Sequence, residues 1–129
     1  MGFFSTALAQ PTSRQVAAHI LRGVAELNTR HPEHTGCFLI NGALAGSDEA
    51  ESVRQTLIEF RVKGEAQLRE RFERAKQEGD LPATADCAAL AAFVMAVTHG
   101  MAVQAKAGFS RDTLEAVADQ ALATWPANT

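Results

Sequence analysis

Tyrosine is absent from the 129-residue chain, tryptophan occurs once, and only four prolines and two cysteines are present. Strand-favouring residues are sparse and alanine is very common, a balance that points to helices and away from sheets. Two cysteines far apart in sequence, Cys37 and Cys87, are too few for a disulfide scaffold and read as buried reduced thiols of a cytoplasmic protein. There is no excess of positive charge: the net charge is -3, so the chain as a whole is no polyanion binder. No uninterrupted run reaches the about 18 apolar residues that span a bilayer, so no membrane association is expected. The opening MGFFSTALAQ ends in the small-residue triplet Ala7-Leu8-Ala9 but lacks a basic n-region, which argues against a signal peptide.

What is present is length enough for one domain with its own core, and helical punctuation throughout. Residues 1–10 hold Phe3, Phe4 and Leu8 at a spacing too loose to separate a short helix from a frayed end, and Pro11 follows. Thr12 and Gln15 have capping-box spacing. From there Val16, Ile20, Val24 and Leu27 line one face, predicting a helix from about Ser13 to Thr29. RHPEHTG is a connection. CFLINGALA is short and apolar, and reads as a short helix because no second strand exists to pair with it, with Gly46 as its C-cap.

Asp48 and Glu51 mark the start of a long helix. Val53, Leu57, Phe60, Gly64, Leu68, Phe72 and Ala75 repeat on its apolar face, and the pairs Glu59–Lys63, Glu65–Arg69 and Glu70–Arg74 mark a solvated opposite face. That helix ends at Gly79. Asp86 is expected to cap a helix that runs to Gly108 and carries no charged residue before Lys106. Leu90, Phe93, Val94, Val97 and Met101 form one stripe on it, and Ala91, Met95, Thr98 and Ala102 a second. A helix apolar all round is buried on all sides. In a chain of this size one side meets the core, and the other is most simply covered by a second subunit. Ser110 caps a last helix with the stripe Leu114, Val117, Ala118, Ala121, Leu122 and Trp125.

Three stretches together resemble the C-terminal regulatory domain of TetR-family transcriptional regulators. They are GCFLINGAL, the long charged helix ending in RFERAKQEGDLP, and LAAFVMAVTHGMAVQAKAG followed by SRDTLEAVADQALATW. The resemblance covers about residues 11–126, read as one helical ligand-binding and dimerisation domain, with 1–10 a frayed end or the remnant of a linker helix. It implies an all-α fold of about five helices and a homodimer through a four-helix bundle of the last two. It further implies a pocket for a small effector, apolar or aromatic, and a regulator that is a repressor. The family's N-terminal helix-turn-helix domain is not found in this sequence, so direct nucleic-acid contact is not expected of it. A ligand-free module that pairs with full-length regulators is the alternative.

Within that frame, Phe38, Asn41, Phe60, Gly64, Met95 and His99 are the candidate ligand-binding residues. A polar amide or imidazole in an apolar helix must find a partner or face a cavity. A glycine on the apolar face of a helix either admits close packing or leaves room. Phe93, Val97, Gly100, Gln104, Val117, Ala121, Leu122 and Trp125 are placed at the dimer seam. His31, His34 and Cys37 have donor types suited to zinc, with Cys87 or His99 as a fourth, but lack a second paired motif and read as a loop, so no metal or other cofactor is expected. Paired acids occur only on the solvated helix, and no nucleophile spacing or phosphate loop appears, so no enzyme activity is expected.

Overall fold

The computed structural model describes residues 2–30 and 48–127, the stretch 48–60 by its backbone alone. The short helix expected over residues 37–45 lies outside the described residues. Within them the chain is all helical: α1 (Phe3–Leu8), α2 (Ser13–Thr29), α3 (Asp48–Gln77), α4 (Cys87–Lys106) and α5 (Arg111–Ala123).

The helix boundaries follow from local chemistry. Thr12 Oγ1 accepts from the Gln15 N–H and also meets the Gln15 side-chain oxygen, so the cap forms although the reciprocal half of a capping box does not. Asp86 accepts from Ala89 N–H and Ser110 from Thr113 N–H, satisfying donors that the first turns of α4 and α5 would otherwise leave unpaired. Both long helices close in Schellman motifs. Gly79 and Gly108 take the positive φ that this closure requires, and the next residues, Asp80 and Phe109, bond back to the carbonyls of Ala75 and Gln104.

Helix α2 packs on α4 and α5, α4 packs on α3, and α1 lies on α2. The shared core holds Leu21, Leu68, Phe72, Leu81, Met101 and Leu114, with Val16 and Val94. The buried side of α4 is Cys87, Ala91, Val94, Thr98, Met101, Ala102 and Ala105. It takes residues from both stripes read in the sequence, because a helix apolar all round has no periodicity to choose between them. Phe93 and Val103 are exposed, at 41% and 55%, with Ala92, Ala96 and Gly100 between them. Helix α4 has 20 residues and a mean hydropathy of 1.6 over its most apolar 18-residue window, long and apolar enough to cross a membrane by those measures alone, although it is interrupted by Thr98, His99 and Gly100. A third of that window is buried against the other helices.

Candidate functional site

Two polar constellations are built along α3. The first ties its C-terminal half to the corner between α1 and α2. Arg71 falls on the buried face, between Leu68 and Ala75, and is only 5% exposed. Its Nε donates to the Leu8 carbonyl (3.0 Å), and its Nη2 donates to those of Gln10 (2.9 Å) and Pro11 (3.3 Å). These carbonyls lie where α1 has ended and α2 has not begun, so no helical N–H meets them. Burial pulls the Arg71 guanidinium below its ordinary value, with Arg74 adding to the effect, while Glu78 and Asp80 oppose it.

Asp80, delivered by the Schellman turn, accepts from the Ser13 N–H at 2.7 Å. A carboxylate at the first turn of α2 suits the helix dipole. Trp125 Nε1 donates to Ser13 Oγ (3.1 Å), and its ring meets Phe72 edge-on at 5.3 Å. At the other end of α1, Phe3 stacks on His19 (5.4 Å) and lies over Gly23, where a Cβ would collide with its ring.

The second constellation lies further toward the N-terminus of α3. Arg61 precedes Gly64 by three residues and Leu68 by seven, so it shares their face. Its Nε and Nη2 are buried and, among the described residues, meet no acceptor. Gly64 is buried, yet among the described residues a Cβ there would meet only the Phe4 ring, at 3.9 Å. From α4, Met95 and His99 are half-buried one turn apart. Burial pulls the His99 imidazole below its ordinary value. The positive charge of Arg61 adds to this, while Glu65 opposes it. His99 is therefore neutral near neutral pH, and Arg61 and Glu65 are its charged neighbours.

Of the residues chosen as ligand-binding from the sequence, Gly64, Met95 and His99 occupy this region of the α3–α4 packing. Phe38 and Asn41 lie outside the described residues, as does the side chain of Phe60. His31, His34 and Cys37 lie outside them too. Cys87 is buried, and burial followed by the nearby Glu73 carboxylate pushes its thiol up and keeps it protonated.

Of the seam residues, Phe93 and Gly100 are exposed on the outer face of α4, where a Cβ at Gly100 would meet nothing. Val97, Gln104 and Val117 are half-buried beside them. Ala121 and Leu122 are buried within the protomer, at 7% and 2% exposure, and Trp125 is bonded to Ser13 inside it. Those three contribute to the protomer's own core, because the small-residue side of α5 is the side that packs on α2. Arg74 pairs with Glu78 (3.6 Å) rather than with Glu70.

Sequence reasoning passed over Arg61 and Arg71, having assigned the charges of α3 to its solvated face. Their register with Gly64, Leu68 and Ala75 was the available signal.

Comparison with known proteins agrees with this architecture. Residues 13–121 match the family described as Tetracyclin repressor-like, C-terminal domain. The HTH-type transcriptional repressor ComR of Escherichia coli (strain K12) is 27% identical over 109 residues, covering 84% of this chain and 52% of that protein. Among solved structures, a cysteine mutant of the TetR family transcriptional regulator CifR, complexed with operator DNA, superposes with a TM-score of 0.85 at 36% identity, covering 96% of this chain and 65% of that one. A TetR transcriptional regulator from Rhodococcus sp. RHA1 superposes with a TM-score of 0.75 at 32% identity, covering 97% and 66%. The chain thus spans about half the length of the curated relative. With the matched domain, the helix order and these likenesses in agreement, the chain belongs to the TetR family of transcriptional regulators, as its C-terminal domain.

Proposed function

We propose that this chain is the effector-binding and dimerisation part of a cytoplasmic transcriptional repressor, without enzymatic activity. The observation that carries the reading is the outer face of α4. Phe93, Ala96, Gly100 and Val103 expose a continuous apolar strip, with no Asp, Glu, Lys or Arg between Cys87 and Ala105. Such a strip on a packed domain calls for a partner surface. The TetR resemblance implies a second copy of the same helix pair. The unpaired Arg61 donors on the face shared with buried Gly64, near His99 of α4, support an effector pocket between α3 and α4. Effector binding would then shift a two-state equilibrium that operator affinity reads. DNA binding itself is proposed for the regulator as a whole, since the relatives named for it are longer than this chain.

Native mass spectrometry tests both parts. A dimer is expected at micromolar concentration, and a Gly100→Leu substitution, which places a branched side chain on the strip, should yield monomer. A wild-type monomer would overturn the dimer reading, and a dimeric Gly100→Leu protein would remove Gly100 from the interface. A retained mass of a few hundred daltons per subunit would support the effector.

A further inference from the structure

We infer that the ligand of this domain is a carboxylate, an organic acid with an apolar body, whose head is held by the Nε/Nη2 edge of Arg61. The inference rests on the effector-binding reading above and adds the chemical class of the effector.

Nε and Nη2 form the side of a guanidinium that presents two parallel N–H donors to one planar anion. In Arg61 both of these atoms are buried and have no acceptor among the described residues. An unpaired buried donor is costly, and a charged one more so, which is why native proteins satisfy such groups almost without exception. The same edge of Arg71, on the same helix, is filled by three backbone carbonyls. Among the described residues, the fold therefore supplies acceptors to one arginine and leaves the corresponding edge of the other buried and unpaired.

What surrounds Arg61 fits an acid with an apolar body. Gly64, one turn along α3, is buried, and among the described residues the Phe4 ring is its apolar neighbour. Met95 and His99 are half-buried on α4. Glu65, a turn from Arg61, is the one carboxylate among the described residues that acts on His99, and it leaves Arg61 Nε and Nη2 unfilled. His99 is held neutral, so Arg61 supplies the positive charge of this group. A neutral imidazole offers one N–H donor and one acceptor nitrogen to a carboxylate or to its substituents.

Calorimetric titration of the full chain distinguishes the charge of the head from the shape of the body. Benzoate and octanoate are the acid probes, and benzamide and octanamide are their neutral counterparts. The wild-type chain should bind an acid roughly ten- to a hundred-fold more tightly than its amide, the range of a charged hydrogen-bonded contact. Arg61→Gln should abolish that preference while leaving amide binding within about three-fold, which also reports that the pocket is intact. Arg61→Lys, which keeps the charge and loses the planar edge, should fall between the two. Amides binding as tightly as acids, or acids binding Arg61→Gln as tightly as wild type, would overturn the carboxylate assignment alone and leave the effector reading standing. Failure of all four probes to bind the folded wild-type chain would overturn the assignment and count against the effector reading with it.

Discussion

Arg61 and Arg71 lie about three turns apart on α3 and share its inward side, yet their surroundings differ. Arg71 is clamped, its Nε and Nη2 donating to the carbonyls that α1 leaves behind at Leu8, Gln10 and Pro11, with only Nη1 unpaired. Arg61 shows the opposite pattern at Nε and Nη2, which meet no acceptor among the described residues. A buried cation whose donors meet main-chain carbonyls fixes one arrangement of backbone. Buried donors left unpaired are maintained at a cost to stability, which the proposed carboxylate would offset.

The strongest way to break this comparison is at Arg71. Arg71→Ala should destabilise the fold by about 2–4 kcal/mol, since it leaves three carbonyls without their charged donor and opens a cavity. Urea unfolding would measure it, and the amides of α1 should lose hydrogen-exchange protection ahead of the rest. A loss below about 0.5 kcal/mol would mean that α1 is held without the clamp.

At Arg61 the expected sign reverses. Arg61→Leu should be neutral or stabilising by up to about 2 kcal/mol, because it removes two buried donors that meet no acceptor among the described residues and adds apolar surface. A destabilisation as large as that of Arg71→Ala would show that the Arg61 edge is satisfied within the folded chain.

The smallest effect sharpens the site at His99. Its folded value lies below the ordinary 6.5, through burial and then through Arg61. As pH falls below 6.5, the unfolded chain takes up a proton that the folded chain resists. Stability present at neutral pH is therefore lost on acidification. His99→Gln should flatten the fall in Tm between about pH 7 and about pH 5. An unchanged slope would place the acid sensitivity elsewhere.

Much of the fold was legible residue by residue. The caps at Thr12, Asp86 and Ser110 and the closing glycines Gly79 and Gly108 act on neighbours within a turn, so sequence spacing alone locates them. The candidate ligand-binding residues were only partly legible. Gly64 and His99 stood out as exceptions on apolar faces, while Arg61 and Arg71 were hidden among the many charges of α3. Their burial depends on where α1 and α4 pack, which no spacing within α3 records.

By itself the sequence determined an all-helical chain of this family, the ends of its helices and the apolar character of α4. These depend on backbone propensity, short-range hydrogen bonding and composition, which are local properties. The tertiary structure decided which side of α4 is covered, that Leu122 and Trp125 face inward, and that of two similar arginines one holds the α1–α2 corner while the other keeps an edge unpaired among the described residues. Each of these depends on atoms brought together from distant parts of the chain, and a buried charge takes its role from the acceptors that packing brings within hydrogen-bond reach.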